Sequence, residues 1–147
     1  MLTIAPQPDG LAEVAVTPLA PERFREVLSA ESLAQFERTI ARGRELLDGR
    51  TLWTVNSTAQ GGGVAEMLRS LIGYVRGAGI DARWTVIGGD DDFFRITKRL
   101  HNRLHGADDG GELGERERAV YERRCTAEAE LLVPRLRSSD VVLLHDP

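Results

Sequence analysis

Cysteine is almost absent from this chain of 147 residues, in which Cys125 stands alone. A single thiol closes no internal disulfide and supplies no Cys-rich metal site, so a reducing compartment, the cytoplasm, is the expected setting. Lysine and asparagine are nearly as scarce. Of 19 basic residues 18 are arginine and only Lys98 is lysine, while Asn56 and Asn102 are the sole asparagines. A bias of the source genome toward arginine accounts for the skew, and it turns these three exceptions into pointers to positions where chemistry resists substitution. No basic cluster offsets the net charge of −4, which argues against a track for nucleic-acid phosphates. Long apolar runs are missing too. None reaches the roughly 18 residues that span a bilayer. Met1–Gly10 has no basic segment leading into an apolar one, so neither a membrane anchor nor a secretory leader is expected.

What is present is 41% hydrophobic and 29% charged, the balance of a globular chain of one domain's length. Such a chain buries roughly two-thirds of its extended surface, enough for a core without staples. Residues 1–19 place Pro6, Pro8, Gly10 and Pro18 around the short apolar stretch Leu11–Val16, which predicts one edge strand. From Pro21 the spacing turns helical: Phe24, Val27 and Leu28 make one apolar face, Leu33, Phe36, Ile40 and Leu47 another, and Gly49 is the stop. Residues 1–50 therefore read as an N-terminal extension with helices. Thr51–Val55, rich in β-branched and aromatic types, predicts a buried strand that ends in the polar run Asn56–Gly63. Val64, Met67, Leu68, Leu71, Ile72 and Val75 then draw the clearest helical stripe in the chain, closed by Gly77 and Gly79. Ala82–Ile87 predicts a second strand. Asp90 to Asp92 can cap a helix striped by Phe93, Ile96, Leu100 and Leu104, with Gly106 as its C-cap. A charged helix over 113–132 follows, and Asp140–Leu144 predicts a third strand running straight into His145 and Asp146. Strand–helix alternation of this kind predicts an α/β fold with a parallel sheet, whose ligands bind beyond the carboxyl ends of the strands. Those ends carry 56–63, 88–92 and His145–Asp146.

Three successive glycines, Gly61, Gly62 and Gly63, let backbone N–H groups approach an anion closely, and the dipole of the helix behind them favours negative charge there. A phosphate or an anionic sugar derivative is the expected guest; the bland alternative is a loop that needs glycine for positive φ. A dinucleotide fingerprint is disfavoured, since Glu66 stands where its last glycine belongs, and no Gly-Lys-Ser/Thr follows to make a P-loop. Glu66 either complements the helix dipole or reaches a sugar hydroxyl. Lys98 and Asn102, spaced i, i+4, present an ammonium and an amide to hydroxyl groups or make a surface hydrogen bond. His101 and His105 have zinc-like spacing, but Asn102 replaces the glutamate of the hydrolase motif, so no metal is expected. His145 at a strand tip serves either proton traffic near neutral pH or the capping of the strand. Trp53 and Trp84, within strands, read as core.

The segments Val55–Leu71, Gly79–Gly88, Phe93–Asn102 and His145–Pro147, in that order, together resemble the N-terminal half of the glycosyl-transferring trehalose synthases of glycosyltransferase family 4. The retaining trehalose phosphorylases share these motifs. The resemblance implies a GT-B architecture, two Rossmann-like domains facing a cleft, of which 51–147 would form an incomplete, acceptor-side domain. It implies metal-independent, retaining transfer of glucose from a nucleoside diphosphate glucose to glucose, giving trehalose, without a cofactor. By that likeness the loop of Gly61 to Gly63 lies against the leaving phosphate or the reacting sugar, and His145 beside the transferred glucose. Asp146 is paired with His145 as catalytic, and Asn56, Glu66, Lys98 and Asn102 hold substrate. The basic residues that would neutralise the diphosphate belong to a donor domain that does not occur in these 147 residues, so this chain alone is expected not to turn over. A phosphorylase, which uses phosphate in place of the nucleotide, and a non-catalytic module binding a sugar or nucleotide are the competing readings. Homo-oligomerisation is left open. An exposed sheet edge and uncovered apolar helix faces are expected.

Overall fold

Residues 4–5, 11–60, 63–107 and 111–145 are described by the structure, a computed structural model. In chain order the elements are β1 (Ile4–Ala5), β2 (Ala12–Val14), α1 (Ala30–Leu46), β3 (Leu52–Asn56) and α2 (Gly63–Gly77). They continue with β4 (Ala82–Val86), α3 (Asp91–Leu104), α4 (Glu115–Leu132) and β5 (Val141–Leu144). The elements end where the chemistry tells them to. Gly79 turns the chain out of α2 at φ +83°, Asp90 caps α3 by accepting the Phe93 N–H at 2.8 Å, and Gly106 closes α3 at φ +80°.

Five strands form one sheet in the order β1-β2-β4-β3-β5. The strands expected from sequence, β3, β4 and β5, are parallel, with Thr54 opposite Trp84 on one side and Leu143 on the other. The α/β class expected from sequence is thus present, and two further strands make the sheet as a whole mixed: β2 runs antiparallel to β4, and β1 antiparallel to β2. Parallel neighbours need a connection that traverses the sheet. The segment between β2 and β3 makes no such crossing, because it lies against the C-terminal end of α2. There Phe24 packs on Phe36 of α1 and on Tyr74 of α2, with ring centroids 4.9 and 4.8 Å apart, and the Leu19 N–H donates to Gly73 O at 2.8 Å.

The stretch Leu11–Val16, expected as an edge strand, lies instead one position inside the sheet, and its apolar residues belong to the core on both faces. Val14 and Val16 join Ala65, Leu68, Ile72, Ala82 and Trp84 beneath α2. Leu11 joins Trp53, Val55 and Leu132 beneath α4. Both tryptophans are core, as their strand positions imply. The stripe on α2 divides: Leu68 and Ile72 are buried, while Val64, Met67 and Leu71, on its outer flank, remain exposed. Leu143 and Leu144 of the edge strand β5 are exposed as well. Among the described residues an open sheet edge and uncovered apolar helix surface are therefore present.

At the amino ends of the parallel strands a clasp holds β3, β4 and β5 in register. Asp140 Oδ1 accepts the Thr51 N–H at 3.0 Å, and Oδ2 accepts the Trp53 indole N–H at 3.1 Å and the Arg137 N–H at 3.0 Å. Arg137 Nη2 donates to Thr51 Oγ1 at 2.8 Å, whose hydroxyl donates in turn to Asp81 Oδ2 at 2.8 Å. The backbone N–H groups of Arg137 and Thr51 hold the Asp140 carboxyl well below the usual carboxylate range.

Candidate functional site

At the opposite, carboxyl ends of the same strands the polar residues gather. Asn56, the last residue of β3, is buried. Its Oδ1 accepts the Trp84 indole N–H at 2.7 Å, its Nδ2 donates to Thr58 O at 2.6 Å, and its backbone O accepts the Ile87 N–H at 3.0 Å. The side chain thus ties Trp84, in the middle of β4, to the start of the loop after β3, and the backbone oxygen holds the residue just past the end of β4. That loop curls on itself: Thr58 Oγ1 donates to Gln60 O at 2.6 Å and accepts the Gln60 N–H at 3.1 Å. Gly61 and Gly62 lie outside the described residues. Gly63 opens α2 in exposed surroundings, and a Cβ placed there would meet nothing within 4 Å. Glu66, in the first turn, is exposed.

His145 follows β5 and extends its pairing, its N–H donating to Val55 O at 2.9 Å. The side chain is half-buried, and Nε2 is shielded from solvent without a hydrogen-bond partner among the described residues. A shielded ring nitrogen with no partner is costly to keep. Asp146 lies outside the described residues. Adjacent strands therefore bring together Asn56, the loop it anchors and His145.

Lys98 and Asn102 sit apart from these, on α3. Lys98 is exposed and forms no ion pair among the described residues; Asn102 is half-buried. Lys98 lines a shallow groove with Phe94, Thr97 and His101. The His101 and His105 rings lie 4.3 Å apart, with His105 Nδ1 2.9 Å from His101 O. Among the described residues no three metal-ligating side chains converge, and no helix is long and apolar enough to cross a membrane.

Two contributors escaped sequence reasoning. Trp84 read as core and is fully buried, yet its N–H also fixes the Asn56 amide. Arg124 of α4 donates from Nε to Gly88 O at 3.0 Å, just past β4, and pairs through Nη2 with Glu128. Glu128 is 4% exposed, and its Oε2 has no partner among the described residues. The i, i+4 spacing of Arg124 and Glu128 was visible in the sequence. Nothing local distinguished this pair from the solvated ones on the same helix, such as Arg118 with Glu122 at 2.7 Å.

An α/β sheet with parallel strands at its centre, helices between them, and loops and a histidine at the carboxyl ends is the architecture of a Rossmann-like N-terminal domain of the glycosyltransferase type. The particular family follows from the sequence match: the chain belongs to the family of the trehalose synthase N-terminal domain, which matches residues 54–147. It is 36% identical over 124 residues to a trehalose synthase of Rubrobacter xylanophilus, covering 84% of this chain and 28% of that protein. To a trehalose synthase of Thermococcus litoralis it is 40% identical over 126 residues, covering 86% of this chain and 29% of that protein. A trehalose phosphorylase of Pleurotus pulmonarius is 31% identical over 135 residues, covering 86% of this chain and 18% of that protein. The chain thus spans less than a third of the length of these relatives.

Proposed function

We propose that this chain is the acceptor-side portion of a retaining glycosyltransferase that makes trehalose from a nucleoside diphosphate glucose and glucose. The observation that carries this reading is that the family match, residues 54–147, takes in all three carboxyl-end segments, from Asn56 through Gly88 to His145. The open backbone at Gly63 supports an anion at the start of α2, where N–H groups and the helix dipole attract it. In this reading Gly61, Gly62 and Gly63 lie against the phosphate of the donor or the reacting sugar. Glu66 faces that guest from one turn along. His145 offers its ring to a hydroxyl of the transferred glucose, with Asp146 beside it, and Asn56 holds the loop in shape from below. Lys98 and Asn102 take acceptor hydroxyls.

Neutralising a departing diphosphate needs several preorganised cations. Arg124, the arginine that meets the β4 end, is already engaged with Gly88 and Glu128. The chain by itself is accordingly expected not to turn over. The test is to supply the protein, extended to the length of its relatives, with glucose and a panel of nucleoside diphosphate glucoses. Release of trehalose is expected; none from any of them overturns the reading. A trehalose phosphorylase is the second reading, favoured by the match to the Pleurotus protein over 86% of this chain. Glucose 1-phosphate as sole donor separates the two, since only a phosphorylase then releases trehalose and phosphate.

A further inference from the structure

We propose that the outward face of α3 formed by Phe94, Lys98 and His101 is a subsite for a hexose ring, a proposal that rests on the reading above for its substrate class. A hexose has one flank of C–H bonds and a rim of hydroxyls, so it is recognised by a flat aromatic face with hydrogen-bonding groups at its edge. Phe94 supplies the flat face. The residue is 37% exposed, unusual for a phenylalanine one turn into a helix that packs on a neighbour. It is also held in place. Phe93 meets it edge-on at 5.5 Å, and the Gly89 backbone abuts it so closely that a Cβ there would fall 2.8 Å from Phe94 Cζ. A ring fixed on two sides and bare on a third is already in the conformation that stacking needs, so little side-chain entropy is lost on binding.

The rim groups follow along the same face. Lys98, at i+4, brings three N–H donors and no competing ion pair among the described residues. His101, at i+7, lines the same groove; its Nδ1 is shielded and has no partner among the described residues, so the ring's other edge is the one available to a ligand. Thr97, between them, has its hydroxyl engaged with Phe94 O at 3.1 Å, which leaves binding to the other two. Phe94, the groove residue nearest the start of α3, abuts Gly89 in the segment that follows β4, and Lys98 and His101 continue the groove along the helix away from that end. Inorganic phosphate is the rival guest of a lone lysine, and the experiment separates the two.

Backbone amide shifts of the 147-residue chain, titrated in parallel with glucose and with inorganic phosphate, test the proposal. Glucose is expected to shift residues 93–102 saturably. Phe94→Leu, which keeps an apolar side chain but loses the flat face, should weaken that binding roughly 3- to 10-fold, the worth of one aromatic contact. Phe94→Tyr should retain it, and Lys98→Met should weaken it. Saturable glucose shifts confined to the loop around Gly63 and to His145, no saturable shift at all, or α3 shifts produced by phosphate but not by glucose would each overturn the proposal. None of these outcomes depends on turnover, so a failed subsite and a failed trehalose assay are told apart.

Discussion

Asn56 is one of two asparagines in the chain, and its surroundings explain what resists replacement there. The amide accepts from a fully buried indole and donates to a loop carbonyl, a pair of roles that aspartate cannot fill and serine cannot span. Asn56→Ala leaves the Trp84 N–H buried and unpaired, and is expected to cost about 1–3 kcal/mol in urea unfolding. A loss under about 0.5 kcal/mol would mean that the bond contributes nothing. His145 is expected to behave the other way round. In the protein at its relatives' length, His145→Ala should lower kcat/KM for trehalose formation by about a hundredfold, as removal of a positioned proton-transfer or hydroxyl-binding group does. Its melting temperature should scarcely move; a mutant with full activity would remove His145 from the site. These residues were legible in the sequence because rarity and a place at a strand end mark them. Arg124 and Glu128 were not, since what sets them apart is the Gly88 carbonyl 36 positions away along the chain.

Between elements, the clasp at the amino ends of β3, β4 and β5 makes folding pH-dependent. The folded Asp140 carboxyl titrates below its unfolded value of about 3.9, so its contribution is complete above that pH and is lost as pH falls further. Stability should therefore drop below about pH 4, and Asp140→Asn should flatten that acid limb while lowering the melting temperature at pH 7. An unchanged acid limb in the variant would assign the pH dependence to other carboxylates. Gly77 illustrates a different constraint. A Cβ at that position would lie 1.8 Å from Leu19 O, where α2 meets the segment leading to α1. Gly77→Ala must push the two apart, an overpacking expected to cost about 1–3 kcal/mol or more by chemical denaturation. The sequence marked Gly77 as a helix stop; that it is also the contact through which α2 receives the preceding segment depends on residues nearly 60 positions apart.

Across the whole molecule, the apolar surface is unevenly covered. Met67 and Leu71 on α2 and Leu143 and Leu144 on the edge strand β5 remain exposed. An unpaired strand edge flanked by leucines is a template for association. The 147-residue chain is expected to self-associate as its concentration rises, and Leu144→Lys to reduce that association in sedimentation velocity without changing the fold. A chain that stays monodisperse throughout would show that this edge is protected.

Hydropathy period, glycine and proline punctuation and the polar run after the first buried strand were enough to determine an α/β class and the order of its central elements. They also determined the strand ends at which the candidate residues Asn56 and His145 lie, because those signals are written within single elements. The direction and place of β2, the side of α2 that reaches the sheet, and the partners of Asn56, Asp140 and Arg124 were decided only by the tertiary structure. Each of these is a pairing between segments far apart in the chain, and the periodicity of one segment records that it has a face to bury without recording what will cover it.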